Sequence, residues 1–270
     1  MVHRAAVLGS PIAHSLSPVL HRAAYRELGL DWEYEKIEVG ESELPAFLLG
    51  CDTSWVGLSL TMPLKARALA LASSATDVAQ LTGAANTLIP VVEGGSPIRW
   101  HADNTDVYGI VAAVSEVAPD ESYHTALILG AGATARSAIA AAKDLGVRAV
   151  HVAARKPGVA AAVAELGTHL GLETKTQDLR PNWHGADLVI STVPPDVGAD
   201  WAVKVPVNPR SVLLDVTYAP WPTPLAEAWV GPVVRGHSML LWQAAEQVRL
   251  MTGMEPPVAA MRAALDAALR

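Results

Sequence analysis

Gly130-x-Gly132-x-x-Ala135 stands between an apolar run, His124–Leu129, and an alanine-rich helical pattern that continues to Leu145. Between a strand and a helix, that spacing suits a dinucleotide. The first glycine allows the tight turn, and the second lets backbone N–H groups approach a pyrophosphate. The third position needs only a small residue for helix–strand packing. Ala131, Ala133 and Thr134 complete the loop, and the helix N-terminus presents the positive end of its dipole to the anion. After the next strand, Arg148–Ala153, the chain reads Ala154-Arg155-Lys156. An acid there would bind a ribose 2′-hydroxyl, whereas an arginine pairs with a 2′-phosphate and stacks on adenine. The spacing therefore favours NADP over NAD, against the plainer alternative of a solvated basic turn.

A second set of polar residues gathers at predicted strand ends, where open α/β sheets bind ligands. It comprises Ser15 and Ser17, Thr61 and Lys65, Asn86-Thr87, and Asn104-Thr105-Asp106. Ser15 and Ser17, two residues apart beside a helix start, could donate to a carboxylate. Ser17 taken alone reads more readily as the helix N-cap. Lys65 falls in the first turn of a helix, an unfavourable place for a cation, so it invites a functional explanation beside that of a solvated lysine. Interconverting a ketone and a secondary alcohol by hydride transfer needs one proton moved at oxygen. A lysine ammonium oriented by a carboxylate can move it.

The elements that must position these groups are short apolar runs alternating with helical patterns, which predict parallel strands and crossover helices. Strands are expected at Arg4–Leu8, Trp32–Val39 and Trp55–Leu60, with helices from Ser17-Pro18 to Gly29, over Leu44–Leu49, and from Met62-Pro63 through Leu71. Thr87–Val92 and Ile98–His101 flank Glu93-Gly94-Gly95-Ser96 like a hairpin. Further strands are expected at Asp187–Ser191, Ser211–Val216 and Pro232–Arg235. Two helices, Ser238–Thr252 and Val258–Leu269, close the chain and could pack on either half. A boundary near Asp106, bridged by a helix Val107–Val117, separates an N-terminal α/β domain from a Rossmann-type doubly wound domain.

Composition bounds the partners. The chain has 270 residues, 51% hydrophobic and 17% charged, so disorder is excluded. Net charge −7 opposes a nucleic-acid partner. The single cysteine, Cys51, leaves no disulfide and no thiolate pair for zinc, so no metal is expected. The richest apolar stretches, such as Ala126–Ala133, are far below the ~20 residues of a spanning helix, and the N-terminal run Ala5–Gly9 is too short for a signal-peptide core. A cytoplasmic protein without a membrane partner is expected.

Eight ordered motifs resemble those of shikimate dehydrogenases. They are Gly9-Ser10-Pro11-Ile12-Ala13-His14-Ser15-Leu16-Ser17-Pro18; Gly57-Leu58-Ser59-Leu60-Thr61-Met62-Pro63-Leu64-Lys65; Gly83-Ala84-Ala85-Asn86-Thr87; Asp103-Asn104-Thr105-Asp106; the nucleotide loop; Ser191-Thr192-Val193-Pro194; Asp215-Val216-Thr217-Tyr218-Ala219-Pro220; and Gly236-His237-Ser238-Met239-Leu240-Leu241-Trp242-Gln243-Ala244. The resemblance implies NADPH-dependent reduction of 3-dehydroshikimate to shikimate on the route to aromatic amino acids. It implies that the last helices return to the N-terminal domain, giving a substrate-binding catalytic domain of 1–106 plus 239–270 and an NADP-binding domain of 107–238. By position it makes Ser15 and Ser17 carboxylate binders. Thr61, Asn86, Asp106 and Gln243 become ring-hydroxyl binders with Tyr218 nearby, and Lys65 with Asp106 the catalytic pair. Thr192, Val193, Gly236 and Met239 join the nucleotide loop and Ala154–Lys156 around the cofactor. A small-molecule substrate is the expected partner, and a homodimer is compatible. The chain departs from the family's pattern at Ala154 and Ser59, where asparagine is usual, at Ala133, often glycine, and at Arg22, usually asparagine. A broader NAD-using quinate/shikimate dehydrogenase is opposed by Arg155-Lys156, and a non-catalytic metabolite sensor by the retained Lys65 and Asp106. A methylene-tetrahydrofolate dehydrogenase would not explain the serine pair or Asn104–Asp106.

Overall fold

The computed structural model describes residues 2–91, 98–119, 121–180, 182–183, 185–202, 205 and 209–270. The chain divides into two compact units, Met1–Asp106 with Leu240–Arg270, and Val107–Met239.

The first unit begins β1 (His3–Gly9), α1 (Ser17–Glu27), β2 (Trp32–Glu38), α2 (Leu44–Leu49), β3 (Trp55–Leu60) and α3 (Lys65–Leu71). It continues β4 (Ser74–Ala75), α4 (Asp77–Thr82), β5 (Thr87–Val91) and β6 (Arg99–Asp103). Its sheet runs β2-β1-β3-β5-β6-β4. β1 pairs parallel with β2 and β3, as expected, but β3–β5 and β5–β6 are antiparallel. The antiparallel β5–β6 pair is the one the hairpin-like connection predicts, and the antiparallel β3–β5 pair makes the sheet mixed. A short hairpin connection reverses the chain, and only a crossover returns it in the same direction. The turn expected at Glu93–Ser96 lies outside the described residues. β4 and α4 escaped the sequence because so few residues carry no periodicity. α4 still has a local signature: Thr76 Oγ1 accepts the Ala79 N–H, and Gly83 at φ 64° ends the helix.

The second unit opens with α5 (Asp106–Val117), whose first residue belongs to the first unit. There follow β7 (Thr125–Leu129), α6 (Ala133–Asp144), β8 (Ala149–Ala153), α7 (Pro157–His169) and β9 (Glu173–Gln177). Then come β10 (Leu188–Ser191), α8 (Pro195–Ala202), β11 (Val212–Asp215), α9 (Pro224–Ala228) and β12 (Val233–Arg235). α10 (Gly236–Thr252) leads the chain back to the first unit, where α11 (Val258–Ala268) ends it. The second sheet, β12-β11-β10-β7-β8-β9, is parallel throughout. This is the doubly wound dinucleotide-fold order, which reverses between β7 and β10. β9 was not foreseen because Glu173-Thr-Lys-Thr-Gln177 is polar, as an edge strand can be. In α7, alanine and glycine blunt the helical period.

Strand alternation explains how the first sheet is covered. Ala5 and Val7 of β1 enter a core with Leu20 and Ala24 of α1, Leu241 and Val248 of α10, and Met261 of α11. Ala6 and Leu8 face the other way, onto Leu44 and Leu48 of α2 and Leu64 and Ala68 by α3. A strand covered on both faces reads as a continuous apolar run, which is why β1 shows no polar alternation. The closing helices therefore pack on the first unit. Among the described residues, no helix is long and apolar enough to cross a membrane.

Candidate active site

Lys65 is the first residue of α3, and Asp106 is the first of α5. The Lys65 Nζ donates to Asp106 Oδ2 at 2.5 Å, with side chains 14% and 6% exposed. The ammonium thus has a carboxylate partner on a side chain that keeps some exposure. Asn86, just before β5, fixes the other carboxylate oxygen: its Nδ2 donates to Asp106 Oδ1 at 2.9 Å. The amide cannot be reversed, because the Thr105 backbone N–H donates to Asn86 Oδ1 at 2.8 Å. Asn86 Nδ2 also reaches Gln243 Oε1 at 3.3 Å. Four of the predicted residues, distant in sequence, are therefore one hydrogen-bonded cluster.

Ser15 and Ser17 are both buried. The Ser17 N–H donates to Ser15 Oγ at 3.3 Å, a local turn in which Ser15 serves the backbone. Ser17 is not the N-cap expected from its sequence. Leu16 occupies that position, with no side-chain cap bond, and Ser17 already lies within the helix. Ser17 hydrogen-bonds the Tyr34 phenol instead. Thr61 follows β3, half-buried, and among the described residues its hydroxyl has no partner. The helix expected from Met62-Pro63 starts only at Lys65. Tyr218 belongs to the second unit, in the loop after β11, where burial pushes its phenol above the ordinary range.

Sequence reasoning did not single out a group beneath the cluster. Tyr34 donates to Ser59 Oγ at 2.6 Å, and Ser59 donates to Gln247 Oε1 at 2.8 Å. His21 stacks on Tyr34 at a 4.0 Å centroid distance and approaches Gln247 Oε1 at 3.2 Å. Complete burial pushes the His21 imidazole down to about 3, so it is neutral near neutrality. One signal was available: Gln247 lies four residues after Gln243, on the same helical face.

In the second unit, Gly130 ends β7 at φ 110°, a conformation that L side chains rarely adopt. A Cβ there would collide with Thr192 Oγ1. Gly132 caps α6, and nothing lies within 4 Å of where its Cβ would be. The space beside the helix start is therefore open at Gly132, as the close approach of a pyrophosphate requires. Ala135 is fully buried, so its role is packing. An open cleft of about 340 Å³ is lined by Gly130, Ala131, Ala154, Arg155, Thr192 and Val193, among others. Lys156, the N-cap of α7, lines it too. Arg155 and Lys156 are exposed and, among the described residues, carry no ion pair. Gly236 and Met239, at the start of α10, do not line this cleft. A Cβ on Gly236 would strike the Val216 carbonyl, so close packing is one reason for that glycine. Leu179 and Val197, which do line the cleft, follow β9 and lie in α8, elements the sequence did not reveal. Among the described residues, no group of His, Cys, Asp or Glu is placed to hold a metal.

A doubly wound unit with a glycine loop and a 2′-phosphate-type basic turn, joined to an α/β unit carrying a lysine–aspartate pair, defines the class of two-unit α/β dehydrogenases. Family models agree in detail. Residues 7–88 match the shikimate dehydrogenase substrate binding domain, and residues 236–265 match the shikimate 5'-dehydrogenase C-terminal domain. The NADP(+)-type shikimate dehydrogenase of Citrifermentans bemidjiense is 35% identical over 98% of this chain and 95% of its own. The solved shikimate dehydrogenase of Mycobacterium tuberculosis is 43% identical, with TM-score 0.90 over 98% of this chain and 99% of its own. That of Thermus thermophilus, solved with NADP(H) and shikimate, is 31% identical, with TM-score 0.83 over 99% and 100%. The chain belongs to the shikimate dehydrogenase family.

Proposed function

We propose that this chain is an NADP-dependent shikimate dehydrogenase, interconverting 3-dehydroshikimate and shikimate. The observation that carries the proposal is the Lys65–Asp106–Asn86 cluster, in which a partly exposed lysine is held by a carboxylate of fixed orientation. In the direction of reduction, Lys65 donates its proton to the carbonyl oxygen and is recharged from solvent. Asp106 orients Lys65 and accepts a hydrogen bond from the substrate hydroxyl. Asn86, Thr61 and Gln243 bind ring hydroxyls, the family resemblance adds Tyr218, and Ser15 and Ser17 bind the carboxylate. The first unit is thus the substrate domain and the second the nucleotide domain.

NADPH, when bound, supplies the hydride. Gly130, Ala131, Gly132, Ala133 and Thr134 would hold its pyrophosphate. Ala154, Arg155 and Lys156 would hold its 2′-phosphate, and Thr192 and Val193 would flank it; Gly236 and Met239 complete the assignment. The exposed cations of Arg155 and Lys156 support NADP over NAD. A small molecule is the working partner, and the enzyme is assigned to the cytoplasm. Reduction of NADP+ and NAD+, followed by nicotinamide absorbance with shikimate and then quinate, tests the proposal. Turnover of shikimate with NADP+ preferred is the expected result; no turnover of shikimate with either cofactor would overturn it.

A further inference from the structure

The hydrogen bonds beneath the site run in one direction, and they meet at Gln247. Asn86 O, a backbone carbonyl, lies 3.1 Å from Gln247 Nε2, so that atom must be the amide nitrogen. Its second proton goes to Thr87 Oγ1 at 2.9 Å. Thr87, having accepted, donates onward to Asn86 Oδ1 at 2.8 Å. On its other side Gln247 Oε1 accepts from Ser59 and from His21 Nε2, which therefore carries the ring proton. Ser59 in turn is held by Tyr34, and Tyr34 by Ser17.

A continuous relay thus joins the serine pair to Asn86, Asp106 and Lys65. Only a side chain with two acceptor sites at one atom and two donors at the next can join its halves. Gln247, Tyr34 and Ser59 are almost wholly buried, so none of them presents a surface to substrate.

We infer that Gln247 is a positioning residue: through Thr87 and the Asn86 carbonyl it locks the Asn86 amide that orients the Asp106–Lys65 pair. The inference rests on the shikimate dehydrogenase reading above and concerns a residue that does not touch the substrate. A purely structural glutamine would affect stability alone. A positioning one must also affect turnover by the folded enzyme.

Gln247→Met keeps the length and removes both functions of the amide. With shikimate and NADP+, measured well below the variant's Tm, kcat is expected to fall about tenfold, the equivalent of one to two hydrogen bonds. KM for NADP+ is expected to hold, because the cofactor contacts lie elsewhere. Thr87→Val breaks the same relay one step later without touching Gln247, so it decides the question should Gln247→Met fail to fold. It should lower kcat similarly, Thr87→Ser should restore most of it, and the double variant should be no worse than the worse single. If both Gln247→Met and Thr87→Val keep kcat within about twofold while the wild type oxidises shikimate, the positioning role is overturned and the functional reading stands.

Discussion

The two ligand-binding regions of this molecule are built on opposite principles. In the first unit the polar side chains are buried and already bonded to one another: Lys65 to Asp106, Asp106 to Asn86, Asn86 to Gln243. In the second unit the cleft is lined by small residues, apolar side chains such as Leu179 and Val197, and two exposed cations. The first arrangement is preorganised, so its donors need no rearrangement when charge develops at the reacting oxygen. The second relies on an open glycine surface and a solvent-screened charge, which suit binding a large anionic cofactor. Substitutions in the first region should therefore act steeply on turnover, and those in the second mildly on affinity.

Lys65→Ala gives the largest expected effect. Its kcat should fall about 10²–10⁴-fold, the usual contribution of a placed proton donor, with KM for NADP+ nearly unchanged. Asp106→Ala should be comparably damaging and should also raise KM for shikimate. The double variant should be little worse than the worse single, because the two groups act as a unit. Steady-state kinetics decide this. A near-normal kcat in Lys65→Ala would reduce Lys65 to a partly solvated lysine and erase the contrast between the regions.

Next in size is a pH effect on stability that only the buried region should show. The folded His21 is held at about 3 by burial, below the 6.5 of an exposed imidazole. The unfolded chain therefore takes up the proton first as pH falls. The stability contributed by neutral His21 is complete above 6.5 and is lost progressively from 6.5 toward 3. The slope is roughly 1.4 kcal/mol per pH unit in that window. Denaturant melts at pH 7 and pH 5 should show a larger loss for wild type than for His21→Asn; equal losses would show that His21 is solvated in the folded state.

A smaller effect tests the open region. Arg155→Asp should weaken NADP+ use far more than NAD+ use. Loss of a charge-assisted pair is worth roughly 1.5–3 kcal/mol, or about 10- to 150-fold. The wild-type preference should also shrink as salt is raised. Equal loss with both cofactors would make Arg155 a structural residue.

The smallest effect sharpens the comparison within the first unit. Ser17→Ala should raise KM for shikimate about fivefold, near 1 kcal/mol for one hydrogen bond. Because Ser17 does not cap α1, Tm should drop less than the ~1 kcal/mol loss of a cap would cause. A large fall in Tm with KM unchanged would assign Ser17 to the helix alone.

Much of this was legible along the chain because the physics is local. Gly130, Gly132 and Ala135 announce themselves through spacing next to an apolar run, and Arg155 through its place after the following strand. The ends of α2 and β3 were read correctly from the apolar pattern alone. β9 was hidden because edge strands can be polar, and α4 because six residues hold less than two turns. Ser17-Pro18 has the residue types of a helix cap, but the helix starts one residue earlier than they suggest, with Ser17 already inside it.

By itself the sequence determined which residues could act, in what order, and on which kinds of element they sit. That follows because propensity, glycine conformation and hydrophobic period depend on neighbours a few positions away. Which of them act together was decided by the tertiary structure. Lys65 meets Asp106 across 41 positions, Asn86 meets Gln243 across 157, and His21 meets Gln247 across 226. Hydrophobic period records which face of an element turns inward, not what it meets there. Strand order and the return of α10 to the first sheet set those partners, and hydrogen bonds buried away from water then had to close among whatever groups packing brought within reach.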